Sequence, residues 1–336
     1  MYVQLKENSF FFSSESMELI FAAFDILYNE PVQGVCAKVY SVNKIAALRQ
    51  KYAFLYECHQ ALKPRVRYGM LEYLNADTLE NFTLDAYESQ LTTLEPAAFI
   101  AGALCEDERE GIHEAVRNDN ALEAFYEKHE QYFNSFLGCQ SFFRQTKRLI
   151  KDFFALAREL RTEAFEKAID ENQKDVLYAI EIAREELTSL PPLEYSQNLM
   201  GKTFYNRGPY ERYVFSPSLF VPGRAMRFFS KDQILFFSLR LAEDGLEQYL
   251  ECLRIAADST RFRIILLLKE KGPMRGTNIA QAVSLAPSTV SHHMELLIKA
   301  GLANEEPVRN SKYYSVNMNR LCEIITYLTD SFGDSP

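Results

Sequence analysis

The chain has 336 residues, of which 47% are hydrophobic and 25% are charged, and its formal net charge is −9. This composition is typical of a folded globular protein and excludes a disordered or fibrous chain. There is no apolar run of about eighteen residues and no basic N-terminal region followed by an apolar stretch, so neither a membrane span nor a signal peptide is predicted. We expect roughly two or three domains in a cytoplasmic protein.

The first residues of the chain predict a short strand or hairpin, because residues 2–5 and 9–12 are rich in β-forming side chains. Helical periodicity follows, with apolar residues spaced for one helix face in residues 122–137, 142–169 and 176–187. The third run stops before two consecutive prolines, which cannot continue a helix. Residues 1–195 are therefore predicted to form a mainly helical domain, with a role in sensing or dimerisation.

Residues 196–244 change in character, with Tyr, Phe, Val and Arg interrupted by Gly-Pro, Ser-Pro and Pro-Gly turn signals. We predict a short β-rich connecting region. Its strands are expected at 213–215, 218–221 and 225–229, with 234–241 forming either a strand or a helix. The arginines of this region either form an anion pocket or cover the sheet with their aliphatic stems, and we favour the second interpretation. They are Arg207, Arg212, Arg224 and Arg227.

Residues 245–336 are predicted to form a separate domain with the order helix, helix, sharp turn, helix, strand pair and closing helix. Its long helix at 259–271 is apolar nearly all round, which predicts burial, and Ser259 or Thr260 is available as its N-cap. Thr277 is expected to cap a short helix at 278–283, and residues 284–286 supply the sharp turn.

The helix after this turn is the predicted recognition helix of a helix-turn-helix. It should run from Pro287, which the first turn of a helix tolerates, over residues 287–300, with Gly301 ending it. Its core-facing apolar stripe, spaced at i, i+4 and i+7, consists of Val290, Met294 and Leu297.

The remaining faces of this helix carry short polar groups that can reach base edges and phosphates in the major groove. Residues 302–308 and 313–316 predict two antiparallel strands, whose connection carries two cations suited to the DNA backbone. His293 is expected to pack inward more readily than its neighbour His292. The predicted DNA-contacting residues are Pro287, Ser288, Thr289, Ser291, His292, Lys299, Arg309 and Lys312.

The charge of the chain is unevenly distributed. Residues 254–320 hold ten basic and five acidic residues, an excess of +5, which leaves −14 for the rest of a chain whose total is −9. A small basic unit on an acidic body favours a single nucleic-acid-binding face. Two apolar helix stripes in the same domain predict a dimer interface. They are Leu246, Tyr249, Leu250 and Leu253, and Leu321, Ile324, Ile325, Leu328 and Phe332.

These motifs resemble the winged-helix domain of the ArsR family of bacterial regulators over about residues 246–328. The matching segments are ADSTRFRI at 257–264, NIAQAV at 278–283, PSTVSHHM at 287–294, KAGL at 299–302 and KYYSV at 312–316. The resemblance implies a homodimer, joined through the first and last helices of the domain, that reads a palindromic operator and usually represses transcription.

The sequence departs from the metal-sensing members of that family. Residues 278–283 contain no cysteine, and one cysteine in the closing helix cannot make a tetrahedral site. We therefore predict no metal site and no cofactor. The six cysteines stand singly, without a CxxC pair, and are interpreted as buried thiols. They are Cys36, Cys58, Cys105, Cys139, Cys252 and Cys322.

No GxSxG, HExxH, P-loop or dinucleotide-binding motif occurs, so no catalytic residue is predicted and we do not expect an enzyme. The sequence thus predicts a mainly α protein, with a helical N-terminal domain, a small β element and a C-terminal winged helix-turn-helix. A DNA-binding repressor is the favoured function, and whether it responds to a small-molecule effector is left open by the sequence. Two alternatives remain: a winged-helix scaffold for protein interactions without DNA binding, and an enzyme with an appended regulatory DNA-binding domain.

Overall fold

A computed structural model shows a mainly α chain, as the sequence predicts, that divides into two compact units. The N-terminal unit comprises Met1–Ser189 and Tyr210–Leu239, and the C-terminal unit comprises Leu190–Pro209 and Arg240–Pro336. The structure describes residues 1–29, 32, 34–106, 109–200, 207–222, 225–239, 242–308, 311–318, 320–321 and 324–325.

The N-terminal unit consists mainly of short helices, several of which begin at a capping side chain such as Ser41, Thr83 or Asn118. They are α1 (Glu15–Tyr28), α2 (Gly34–Val39), α3 (Val42–Lys51), α4 (Ala53–Gln60), α5 (Ala76–Glu80), α6 (Leu84–Thr93), α7 (Pro96–Leu104), α8 (Arg109–Arg117), α9 (Asp119–Lys128), α10 (Phe136–Arg144), α11 (Thr146–Glu159), α12 (Glu163–Glu171) and α13 (Gln173–Ser189), with 3-10 turns at Pro64–Val66 and Gly69–Tyr73.

The predicted helical run over residues 122–137 is divided between α9 and α10. Between these helices the backbone bonds to a distant segment instead of continuing the helix: Lys63 N donates to Tyr132 O at 2.9 Å, and Asn134 N donates to Ala61 O at 2.7 Å. Ser135 then caps α10. The run over residues 142–169 is likewise divided among α10, α11 and α12, whereas α13 ends before the prolines, as predicted.

The strands of the N-terminal unit form one sheet in the order β1-β2-β3-β5-β4. The predicted hairpin at the start of the chain is present, and its β2 runs parallel to β3, which also runs parallel to β5. The strands predicted within 196–244 therefore belong to the N-terminal unit and not to a separate connecting region. They are β1 (Tyr2–Lys6), β2 (Ser9–Phe12), β3 (Tyr213–Ser218), β4 (Ala225–Phe229) and β5 (Gln233–Ser238).

Helix α1 lies in the core of this unit and carries a buried carboxylate, Glu18. Its Oε1 accepts a hydrogen bond from Leu219 N at 3.0 Å, and its Oε2 accepts bonds from Ser218 Oγ at 2.7 Å and Phe220 N at 3.0 Å. These bonds hold residues 219–220 in a turn, so the strand predicted at 218–221 does not form. Burial raises the pKa of Glu18 to about 7, although the three hydrogen bonds oppose the shift.

Two arginines of the sheet region are engaged by groups of the unit itself. Arg212 donates to both carboxylate oxygens of Asp232, at 3.0 and 2.9 Å, and to Asp77 at 2.6 Å. The Arg227 guanidinium lies over the Phe229 ring, 4.4 Å from its centroid. Both therefore stabilise the sheet and its surroundings. Arg224 lies outside the described residues.

The C-terminal unit contains a second, three-stranded sheet in the order β6-β8-β7. Its described elements are α14 (Pro192–Met200), α15 (Ala242–Ala256), α16 (Ser259–Lys271), β6 (Met274–Arg275), α17 (Gly276–Val283), α18 (Pro287–Lys299), β7 (Ala303–Val308) and β8 (Ser311–Val316). We call the part from residue 242 onward the winged domain. In neither unit do the described residues include a helix long and apolar enough to cross a membrane.

Three sequence predictions for the winged domain require correction. Asp258, and neither Ser259 nor Thr260, caps α16, because its Oδ1 accepts from the amides of residues 260 and 261 at 3.1 and 2.9 Å. Helix α17 begins earlier than predicted, at residue 276, so Thr277 lies inside it. Helix α16 is not buried all round: its Phe262 and Leu266 side chains are 51% and 48% exposed, because one face lacks a covering element among the described residues.

Candidate nucleic-acid interface

The turn between α17 and α18 brings the two helices together as a helix-turn-helix. Ser284 ends α17 in the left-handed region, with φ 56° and ψ 45°, which reverses the chain sharply. Leu285 N closes the turn by donating to Ala280 O at 3.0 Å. Helix α18 then begins at Pro287, and Ala286 before it provides no side-chain cap. The predicted turn and helix start are confirmed.

Helix α18 is amphipathic, and one face anchors it in the core of the winged domain. Val290, Met294 and Leu297 are 1%, 0% and 0% exposed and pack with Ile264 of α16 and Ile279 of α17 in the same cluster. The predicted core stripe is confirmed. Since three successive turns are fixed in this way, the opposite face is held toward solvent as a rigid surface.

The outward surface of α18, which we call the recognition face, is formed by polar side chains that are all exposed. Within the described part of the chain, none of their side chains makes a hydrogen bond, so their donors and acceptors are available to a ligand. Their contacts with DNA stay predictions. The residues are Ser288, Thr289, Ser291, His292 and Lys299, with Pro287 exposed at the start of the helix.

His293 behaves differently from His292. It is half-buried, its ring lies 6.3 Å from that of His292, and its Nδ1 is buried without a hydrogen-bond partner in the described structure. The backbone N–H of Arg261 is the main cause of a lowered pKa at Asp258, and the charges of Arg261 and His293 act in the same direction. His293 thus faces the start of α16, while His292 faces outward.

The wing is the hairpin of β7 and β8, and the structure places its lysine inside a strand, whereas its contact with phosphate stays a prediction. Lys312 lies within β8, opposite Pro307, and not at the tip. Its Nζ is 3.0 Å from Glu305 Oε1, and the charge of Glu295 on α18 also acts on it. Part of the positive charge of Lys312 is therefore compensated within the domain. Arg309, the other predicted wing cation, lies outside the described residues.

A further cation, on the strand beside the wing, was not predicted from the sequence. Arg275, in β6, is exposed, and its Nε donates to the Tyr313 hydroxyl at 2.8 Å. Its guanidinium carbon lies over the Tyr313 ring, 5.2 Å from the ring centroid. The sequence feature that indicates Arg275 is its place immediately before the first helix of the helix-turn-helix.

The predicted dimer helices are described only in part. On α15, Leu250 is 44% exposed and Leu253 is partly buried; on the closing helix, Ile324 is 5% exposed and Ile325 is 62% exposed. The side chain of Leu246 and all of Leu328 and Phe332 lie outside the described residues. Each predicted helix therefore presents at least one large apolar side chain to solvent in the single chain.

The described residues contain no group of three or more His, Cys, Asp and Glu side chains placed to hold a metal ion. Cys105 is exposed, contrary to the interpretation of the cysteines as buried, because it ends α7 in a left-handed conformation at the surface. Cys322 lies outside the described residues. The buried cysteines are Cys36, Cys58, Cys139 and Cys252.

A helix-turn-helix followed by a two-stranded hairpin defines a winged helix-turn-helix domain, the class that the fold supports. The family described as "Bacterial regulatory protein, arsR family" matches residues 258–305. An uncharacterized HTH-type transcriptional regulator of Methanocaldococcus jannaschii is 32% identical over 79 residues, which cover 24% of this chain and 89% of that protein. Through its winged domain, the chain belongs to the arsR family.

Two solved structures from Mycobacterium bovis also resemble this part of the chain. A crystal structure of a possible transcriptional regulatory protein, fragment 1–100, is 20% identical and covers 26% of this chain and 94% of that chain, with a TM-score of 0.23. A solution structure of a homodimeric winged helix-turn-helix DNA-binding domain is 22% identical and covers 27% and 88%, also with a TM-score of 0.23. At these scores the similarity carries no argument about function.

Proposed function

We propose that the protein is a DNA-binding transcription regulator that represses by occupying a palindromic operator as a homodimer. The observation that carries the proposal is the recognition face of α18 in an arsR-family domain. Its hydroxyls and imidazole are exposed and make no hydrogen bond with any residue that the structure describes, while Val290, Met294 and Leu297 fix the orientation of the helix. Short polar side chains on such a helix suit base edges and phosphates of the major groove.

The proposed dimer is supported by the apolar side chains that the first and last helices of the winged domain expose. Leu250 and Ile325 would be removed from water by a second copy of the same surface, which is the usual arrangement in a twofold dimer. Twofold symmetry places two copies of α18 in successive major grooves, about 34–36 Å apart along the duplex. The operator would then have two inverted half-sites.

For the N-terminal unit, we propose that it extends the dimer interface or responds to a small-molecule effector. The effector is not a metal ion in this proposal, because α17 contains no cysteine. A non-enzymatic role and a cytoplasmic location remain parts of the proposal, because a regulator of the arsR family acts by binding DNA where the DNA is.

The proposal is tested by incubating the full chain with fragmented DNA of the parent genome and sequencing what it retains. We expect a recurrent inverted repeat, protected in both half-sites and bound by two chains per duplex, with affinity falling steeply as salt rises. Adding the retained fragment upstream of a reporter should lower transcription when the protein is present. Retention of unrelated sequences alone, together with a stable protein partner, would favour the scaffold alternative.

A further inference from the structure

We propose that Arg275 and Tyr313 together bind a backbone phosphate of the DNA, outside the recognition helix and separately from Lys312. The inference rests on the proposed function, since it assigns an additional DNA contact to the same domain. It concerns the sugar-phosphate backbone only, so it adds affinity and orientation without reading sequence.

The two side chains are held together by the sheet. Strand β6 runs antiparallel to β8 with Arg275 directly opposite Tyr313, and side chains directly opposite each other lie on the same face. The arginine uses Nε for the tyrosine hydroxyl, at 2.8 Å, and stacks over the ring. Its two terminal nitrogens have no acceptor among the described residues. The tyrosine oxygen accepts this bond, so its own proton can be donated elsewhere.

The remaining edge of the guanidinium matches what a phosphate requires. Arginine binds phosphate with parallel N–H groups, and a guanidinium already held in place loses less freedom when it binds. Within the described structure no carboxylate forms an ion pair with Arg275, and this includes Glu306, which lies opposite Tyr313 on β7. The positive charge of Arg275 is therefore not paired with a carboxylate in the part of the chain that the structure describes.

Lys312, the residue before Tyr313, provides the contrast. Successive strand residues point to opposite faces of a sheet, so Lys312 lies on the other face from the Arg275–Tyr313 pair. There its Nζ lies 3.0 Å from Glu305 Oε1, and the negative charge of Glu295 also helps to raise its pKa. A phosphate would have to compete with Glu305 for Lys312, but it meets no such competitor at Arg275.

The position of Arg275 in the fold points to the same ligand. It is the N-cap residue of α17, the first helix of the helix-turn-helix. In helix-turn-helix proteins this first helix crosses the DNA backbone while the second enters the major groove. An arginine immediately before α17 is thus placed where phosphates pass when α18 is in the groove.

The test uses the full chain, a duplex selected from the genome and a mixed-sequence duplex, with affinity measured over a range of salt concentrations. Arg275→Gln should weaken binding to both duplexes about equally, by about tenfold. It should also reduce the slope of log affinity against log salt by about 1 for each protomer bound. Tyr313→Phe keeps the charge, so it should weaken binding by a few-fold and leave the slope nearly unchanged.

Two controls separate this effect from general loss of charge or of fold. Arg117→Gln changes an exposed arginine of α8 in the N-terminal unit and should leave affinity and slope unchanged. Lys312→Gln should change the slope less than Arg275→Gln, because Glu305 already compensates part of its charge. The thermal unfolding midpoint of each variant should match that of the unchanged protein.

Two results would overturn the inference. If Arg275→Gln is folded and binds both duplexes with an unchanged salt slope, the pair does not contact phosphate, while the proposed function stands. If the unchanged protein binds neither duplex, the proposed function fails, and the phosphate site fails with it.

Discussion

The two units use their polar side chains in opposite ways. In the N-terminal unit, two charged side chains beside the sheet are satisfied by the unit itself: Glu18 accepts three hydrogen bonds at the end of β3, and Arg212 is held by Asp232 and Asp77. In the winged domain, the recognition face of α18 has no internal hydrogen bond, and Arg275 has no acidic partner among the described residues.

Polar side chains that are bonded within the protein have a different role from those that are exposed to solvent. A buried carboxylate that accepts hydrogen bonds from its own chain stabilises the fold and is not exposed to a ligand. Exposed donors without internal partners give up only hydrogen bonds to water when they bind a ligand. The difference is consistent with the proposed DNA contact in the winged domain, and substitutions in each unit test it.

The largest effect is expected from Glu18→Ala. It leaves the buried amide of Leu219 without its acceptor and that of Phe220 with only Ser218 Oγ at 3.2 Å, and it creates a cavity, so the free energy of unfolding of the N-terminal unit should fall by about 4 kcal/mol. Denaturant unfolding measures this decrease. The control Glu15→Ala removes only a surface ion pair with Arg161 and should cost less than about 1 kcal/mol.

In the winged domain, Met294→Ala should lower the free energy of unfolding by about 3 kcal/mol, because it leaves a cavity at a fully buried position of the core. DNA affinity should fall as the folded fraction of the domain falls, whereas the N-terminal unit should keep its stability. Met318→Ala, at a position 39% exposed, is the matched control and should have little effect. An equal decrease in stability in both variants would contradict the assignment of Met294 to the core.

The pH dependence of stability provides a third test. The pKa of Glu18 is raised by burial from 4.5 to about 7, so the folded chain keeps a proton that the unfolded chain releases. Its contribution to stability is present below pH 4.5 and is lost as the pH rises toward 7, by at most about 1.4 kcal/mol per pH unit.

His59 opposes this trend, because burial lowers its pKa to about 4 and its contribution is lost as the pH falls from 6.5 toward 4. The difference between the unchanged protein and Glu18→Gln isolates the carboxyl group. The free energy of unfolding of Glu18→Gln, relative to that of the unchanged protein, should increase as the pH rises from 4.5 toward 7. A constant difference would mean that Glu18 has an ordinary pKa.

A smaller effect is expected at the start of α16. Asp258→Ala removes the acceptor for two backbone amides and should cost the winged domain about 1 kcal/mol, measured by thermal unfolding. Ser259→Ala tests the cap predicted from the sequence, and it should be nearly neutral because Asp258 already occupies that role. The reverse order of the two effects would contradict the observed cap.

Local patterns allowed much of the winged domain to be predicted. The spacing of Val290, Met294 and Leu297 indicated which face of α18 is buried, and Pro287 marked where it begins. Hydrophobic period and proline position act over a few residues, so they can be read from one sequence. The two-stranded wing was predicted for the same reason, although its register placed Lys312 inside β8.

The rest depends on contacts between distant residues. Pairing of Ser9 with Tyr213 joins the first hairpin to strands about two hundred residues later, and nothing local indicates it. The exposed face of α16 at Phe262 and Leu266 could not be foreseen, because apolar residues all round a helix do not show which neighbours cover them. The pairing of Lys312 with Glu305 likewise required the strand register.

The central claim, that the recognition face of α18 reads DNA, is tested most directly by replacing Thr289 and His292 together with alanine and measuring affinity for the selected operator. The fold should be unchanged, because both side chains are exposed, and specific binding should weaken by about 1–3 kcal/mol for each base that is no longer bound. The control double variant Thr93→Ala with His113→Ala, at exposed positions of the N-terminal unit, should bind as the unchanged protein does. Unchanged operator affinity in the folded Thr289→Ala, His292→Ala variant would contradict the assignment.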